Sequence, residues 1–264
     1  VTITLLRVRF FRGTEGTGIP QTIAALQFED EGERQKLLSP KILFGKIILT
    51  TLGLCSGASM GREGPTVQAG ACIMYYCKRI LHVLQHLAQK GLIVAGGAAG
   101  IAAAFNAPVA GIVFSIEDIG RSFDKRNVSV LLSVVIVACA VCVGFFGEYW
   151  FYGEVQLFDV THVEWLMVPV IAIGMGLLGG FFSHAIVCIY PKVMKGMLKR
   201  RIIIPLCIGL AIGILGRLSS GQTLGTGLIE AKYMLIHGNE LDWYYAQLRL
   251  ISTALTLLSG IPGG

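Results

Sequence analysis

Residues 128–146 and 166–190 contain no Asp, Glu, Lys or Arg. Each run is long enough to cross the hydrocarbon of a bilayer, which takes about 20 apolar residues in a helix. Inside a bilayer no water bonds the backbone, so a spanning chain is confined to helices or a closed barrel. Unbroken apolar runs of this length specify helices, and the chain reads as an all-α polytopic membrane protein. The composition agrees: 54% of residues are hydrophobic, 14% are charged, and mean hydropathy is +0.69. The 34 glycines suit membrane helices, where small residues let backbones approach closely.

Charge gives an orientation. Arg121, Lys125 and Arg126 precede the 128–146 span; Glu148, Glu154, Asp159 and Glu164 follow it; Lys192, Lys195, Lys199, Arg200 and Arg201 follow the 166–190 span. Basic loops stay cytoplasmic, so 121–126 and 192–201 are expected inside and 148–164 outside. The net charge of +6 is therefore a topology signal and not a nucleic-acid one.

Other segments are shorter or broken. A glycine-rich turn over 13–18 precedes a short helix from Ile19-Pro20 to about Phe28. Residues 29–41 are polar and expected outside the hydrocarbon. A helix over 42–59 is expected to break at 61–65 and resume over 66–84. Residues 90–119 are expected to split around Asn106, because Pro108 and its predecessor disfavour continuous helix. A third span covers 202–218, a loop 219–227, and short helices 228–236 and 244–258. Broken apolar segments in corresponding halves of a chain point to a binding site. A faint internal echo fits this: Ser56-Gly57 precedes Gly61 after one apolar run, and Ser259-Gly260 precedes Gly263-Gly264 after another.

Gly61-Arg62-Glu63-Gly64-Pro65 places an ion pair of residue types between apolar runs. Ionisable residues there are costly and mark pathways for ions or protons. Pro is favoured at the first turn of a helix, whose unpaired N–H groups form an anion site. Glu63 lies at the same place, so its carboxylate and an anion compete for one set of donors.

Plainer readings exist for several motifs. Cys139-x-x-Cys142 lies inside an apolar run without a βαβ setting and reads as core. His82 and His86 share a helix face without the acidic residue of a zinc site, so no metal is expected. Gly57-x-Ser59-x-Gly61 matches a nucleophile elbow, which needs a strand–turn–helix and a paired histidine. An intramembrane serine hydrolase using Ser59 is thus a remote alternative, and no enzyme is expected. Thr17 reads as a possible N-terminal helix cap. Glu117 and Asp118 read as a helix-end pair balanced by Arg121.

Taken in order, the segments resemble the CLC family of chloride channels and chloride/proton antiporters. Gly16-Thr17-Gly18-Ile19-Pro20 is similar to its Gly-Ser-Gly-Ile-Pro, and Gly61 to Pro65 matches its Gly-Arg-Glu-Gly-Pro. Ala102 to Pro108 through Phe114 to Asp118 resembles its Ala-Ala-Ala-Phe-Asn-Ala-Pro segment and following acidic pair. Gly260 to Gly264 looks like the lead-in to its last anion-site motif. The resemblance implies an inverted-repeat fold with re-entrant helices, incomplete in this chain, with 1–264 forming part of a single transmembrane transport domain. It also implies a homodimer with one anion pathway per subunit, in an inner or plasma membrane.

The resemblance assigns roles residue by residue. Thr17 stands where the family's serine offers a hydroxyl to the anion, and a hydroxyl there favours chloride over nitrate. Gly18, Ile19, Gly61, Arg62 and Gly64 frame the anion. Glu63 stands at the gating glutamate, which also accepts an outer proton. Asp118 stands where antiporters place an inner proton relay, expected in an apolar wall near the cytoplasm; channels usually carry an apolar residue there. Chloride/proton antiport is thus the expected activity and a passive channel the alternative, with chloride as transported ligand and no cofactor. The chain starts at Val1 without Met and stops at Gly264 within the last motif, and is read as an internal piece of a longer protein.

Overall fold

A computed structural model describes residues 1–80, 89–120, 128–147, 151–153, 162–200, 202–237 and 241–264. The expectations for His82, His86 and loop 121–126, and most of loop 148–164, lie outside these residues.

The described chain is helical: α1 Thr2–Phe10, α2 Ile19–Gln27, α3 Glu31–Leu37, α4 Pro40–Cys55, α5 Glu63–Ile80, α6 Gln89–Phe105 and α7 Pro108–Phe114, which widens into a π-helical turn at Ser115–Ile119. It continues as α8 Val128–Phe146, α9 His162–Lys199, α10 Ile203–Leu218, α11 Leu228–His237 and α12 Tyr245–Leu258. The break at 106–107 falls where Pro108 demands it, and Asn106 takes a left-handed φ of 53°. Stretches within 31–55, 128–146 and 165–197 are long and apolar enough to cross a membrane.

One segment gains structure and one boundary moves. Residues 29–41 hold the short helix α3, started by Asp30, whose Oδ2 accepts from the Glu33 N–H at 3.2 Å. The span expected to end at Tyr190, before Pro191, runs on to Lys199. A proline breaks helices mainly by orphaning backbone groups, and membrane helices re-satisfy these locally. At ~1.5 Å per residue, α9 exceeds the ~30 Å hydrocarbon thickness. Its end carrying Lys192, Lys195 and Lys199 therefore projects beyond the apolar stretch and is not a loop.

The core lies around α5 and α6. Val67 of α5 and Val94 and Ile101 of α6 pack with Ile119, while Ala95, Ala98 and Ala102 pack against Leu131 and Val135 of α8. The α5–α6 crossing is made by small residues. A Cβ on Gly70 would strike the Gly96 carbonyl, and one on Gly100 would strike the Thr66 carbonyl. Backbones this close gain dispersion contacts that larger side chains would prevent, the main source of helix association in lipid. Side chains along α9 are exposed and apolar, as a lipid-facing helix requires.

The Ser-Gly echo is structural. Ser56 N bonds to Leu52 O (3.0 Å) and Gly53 O (3.1 Å); Ser259 N bonds to Leu255 O (3.0 Å) and Thr256 O (3.1 Å). Each serine hydroxyl returns to its helix, Ser56 to Gly53 O at 2.8 Å and Ser259 to Thr256 O at 2.6 Å. Each following glycine turns left-handed, φ 84° at Gly57 and 70° at Gly260. α4 and α12 thus end in the same turn, and both turns lead into the candidate site.

Candidate anion site between the glycine loops

Four glycine loops meet between the helix ends. Gly61 N donates to Gly264 O at 2.5 Å, and Gly264 N donates to Gly61 O at 3.0 Å. The two glycines hold equivalent places after the echoed Ser-Gly turns, so their bonding is reciprocal, as a two-fold axis demands. The residues before them repeat the pattern. Gly263 N donates to Gly16 O at 3.4 Å, and Met60 N to Gly225 O at 3.3 Å. Gly16 belongs to Gly16-Thr17-Gly18-Ile19, and Gly225 to Gly225-Thr226-Gly227-Leu228. The second copy opens α11 as the first opens α2.

Each copy is clamped by a cation. Lys46, on α4 and fully buried, donates from Nζ to Gly16 O at 2.6 Å. Arg249, on α12, donates from Nη2 to Gly225 O at 2.7 Å and from Nη1 to Leu224 O at 3.2 Å. The sequence reading missed both residues and the second Gly-Thr-Gly loop. The signal was present: Gly-Thr-Gly recurs before an aliphatic residue, and a basic residue stands at the same distance before Gly61 as before Gly264.

At the first loop the N-cap of α2 is Gly18, with φ 112°. Thr17 does not cap it. Gln21 does so instead, its Oε1 accepting from Gly18 N at 3.0 Å while its Nε2 holds Glu15 O at 2.6 Å. The Thr17 hydroxyl makes no hydrogen bond among the described residues, so it remains a free donor. Gly18 and Gly64 touch backbone to backbone: a Cβ on Gly18 would lie 2.6 Å from Gly64 O, and one on Gly64 would lie 2.6 Å from Thr17 O.

α5 begins at Glu63, with Pro65 in its first turn. The Glu63 carboxylate folds back onto Gly61, where an added Cβ would collide with Oε2. Arg62 turns away to exposed space and stacks over Phe151, its guanidinium 5.7 Å from the ring centroid. A cavity of about 110 Å³ beside them is lined by Arg62, Glu63, Phe151, Tyr152, Thr226 and Gly227. Thr17, Gly18, Gly61, Glu63 and Gly64 therefore come together; Ile19 follows in the first turn of α2. Asp118 does not join them. It lies in the π-helical turn after α7 and is exposed, as is Glu117, so the expected apolar wall does not enclose it.

Ser59 is fully buried, and its Oγ pairs with Thr253 Oγ1 at 2.9 Å while its N–H donates to Thr256 Oγ1 at 3.2 Å. A threonine, not a base, stands at the hydroxyl, so the elbow motif has neither its fold setting nor its general base. All seven cysteines are free thiols, Cys139 and Cys142 included. Among the described residues no cluster of His, Cys, Asp and Glu forms a metal site.

Broken apolar helices, joined through two copies of one glycine-loop unit, define a polytopic membrane protein of the repeat-built helical class. Residues 1–264 match the family described as Voltage gated chloride channel, and the chain belongs to that family. It is 32% identical over 265 residues to the H(+)/Cl(-) exchange transporter ClcA of Cronobacter sakazakii, covering 97% of this chain and 55% of that protein. It is 30% identical over 261 residues to ClcA of Citrobacter koseri, covering 94% and 53%. The chain thus spans about half the length of these curated relatives. Its fold matches a slow cyanobacterial Cl-/H+ antiporter with a TM-score of 0.80 at 23% identity, over 100% of this chain and 61% of that one. It also matches a CLC-type fluoride/proton antiporter with a TM-score of 0.77 at 25% identity, over 100% and 65%. The protein is an integral, multi-pass membrane protein.

Proposed function

We propose that the chain is part of a single transmembrane transport domain that exchanges chloride for protons. The carrying observation is Glu63: its carboxylate folds over Gly61 at the start of α5, where the Gly18–Gly64 backbone contact brings the loop carrying the free Thr17 hydroxyl alongside. An ionised Glu63 occupies the donors; a protonated one gains nothing from them and yields to an anion. Proton binding and anion binding at one place are thereby linked. Gly18, Ile19, Gly61, Arg62 and Gly64 shape the site, and the threonine hydroxyl suits chloride. Asp118, exposed at its helix end, serves as the inner proton relay, open to solvent protons. The protein works as a homodimer in an inner or plasma membrane, without cofactor, metal or covalent chemistry.

The ClcA relatives named above are exchangers, which supports antiport over a passive channel. The deciding measurement is the reversal potential of the full-length protein in bilayers with symmetric chloride and a pH gradient. Antiport predicts a shift with the gradient; a potential that stays at zero identifies a channel.

A further inference from the structure

A second cavity, of about 560 Å³, lies behind the glycine loops between α1, the turn before α2, and the basic end of α9. Its polar wall is Thr4, Arg7, Arg12, Glu15 and Tyr190, and its apolar wall includes Met194 and Met197. Arg7 is only 4% exposed. One of its terminal nitrogens donates to Gly260 O at 2.6 Å, and Tyr190 lines the same cavity. Its Nε has no partner. A buried guanidinium N–H left without an acceptor is costly, and the cavity it lines is where an acceptor fits.

The charge balance names the acceptor's chemistry. Two guanidiniums, Arg7 and Arg12, face one carboxylate, Glu15, so the cavity is net positive. The volume lies within the ~300–1,000 Å³ of small-molecule sites, far beyond what one halide fills. Guanidinium forks match the paired oxygens of phosphates. We propose that this cavity binds a phosphate-bearing anion through Arg7, Arg12 and Tyr190. Its walls connect it to the candidate transport site. Arg7 holds Gly260, in the loop that ends at Gly264 against Gly61, and Glu15 O is held by Gln21, which caps Gly18. Phosphate drawn onto Arg7 competes with Gly260 O and shifts the loop that pairs with Gly61, so occupancy tunes anion movement.

The full-length protein tests this in two arms. In detergent, inorganic phosphate is titrated against thermal unfolding, with sodium chloride at matched ionic strength as control. In vesicles, chloride flux is compared between neutral phosphatidylcholine and the same lipid with phosphatidic acid. A saturable rise in melting temperature with phosphate identifies a soluble ligand; a flux response to phosphatidic acid alone identifies a lipid headgroup; either supports the site. Loss of one charge-assisted contact weakens binding by roughly tenfold, so Arg12→Gln, at the exposed rim, shifts the half-saturating dose by that factor. Tyr190→Phe shifts it less, and neither disturbs the Arg7–Gly260 bond. No saturable response in either arm, or equal responses in parent and both variants, overturns the proposal. The melting readout is independent of transport, so failure here leaves the antiport reading standing, and the reverse.

Discussion

Replacing Gly64 by alanine tests whether the site depends on two backbones in contact. An alanine Cβ at 64 would lie 2.6 Å from Thr17 O and 3.0 Å from Thr17 Cβ. Comfortable carbon–oxygen contacts begin at about 3.3 Å, so one loop must retreat by roughly 0.7 Å. Neither side yields easily. Gly64 is in the first turn of α5, while Gly16 in the Thr17 loop is held by Lys46. Overpacking of this kind costs about 1–3 kcal/mol, or roughly 5- to 150-fold in an equilibrium constant. The full-length Gly64→Ala protein is expected to melt earlier in detergent and to bind chloride more weakly by calorimetry, because the retreat moves the Thr17 donor. Gly179→Ala is the control: a Cβ there meets nothing within 4 Å, and neither property is expected to fall. A Gly64→Ala protein that melts with the parent and keeps its chloride affinity within about twofold refutes the close-contact argument.

Other changes probe the remaining groups. Glu63→Gln mimics the protonated gate, so chloride flux should lose its pH dependence; a flux profile unchanged from the parent removes Glu63 from the gate. Asp118→Ala should abolish proton movement while chloride movement stays measurable, and Asp118→Glu should preserve coupling; proton flux equal to the parent in Asp118→Ala makes Asp118 a helix-end charge only. Arg34 is 5% exposed and donates to Ala25 O, Phe28 O and Gln89 Oε1, closing the end of α2. Arg34→Met should destabilise by about 1–3 kcal/mol per orphaned buried group, read as a lower melting temperature, with chloride affinity retained once folded.

Much of this architecture was legible from local chemistry. Apolar runs placed α8 residue for residue, and Pro108 placed the break before α7. The Gly-Arg-Glu-Gly-Pro motif marked a break before α5, although the helix starts at Glu63, inside the expected break, and not at residue 66. The end of α9 was not legible, because an uncharged apolar run marks only the part inside the hydrocarbon, and the helix continues past it through Lys192, Lys195 and Lys199. The plainer cap reading of Thr17 fails for a local reason: the N-cap of α2 is Gly18, and the Thr17 hydroxyl is left free. Asp118 was expected in a wall that forms in part from packing between distant helices, a quantity no single-segment pattern encodes. The partnership of Gly61 with Gly264 lies beyond local reading too, since it joins loops at opposite ends of the chain.

The two clamps explain how such a site holds together. Taking a lysine out of water inside a helical core costs several kcal/mol, and Lys46 is fully buried with Gly16 O as its hydrogen-bond acceptor. Helix packing alone would favour an apolar residue there. Arg249 repeats the arrangement in the second copy, on a different helix and with a different side chain. The common element is a cation gripping the first carbonyl of a Gly-Thr-Gly loop. Pinning that carbonyl fixes the peptide planes that follow it, including the one aimed by Gly18 and Gln21. It also places a basic side chain behind each loop. Neither unit can finish the site alone, because the acceptor for Gly61 N is Gly264 O and the acceptor for Gly264 N is Gly61 O. Each half leaves at its own glycine an N–H whose acceptor the other half supplies, so the site forms only where the two repeats meet.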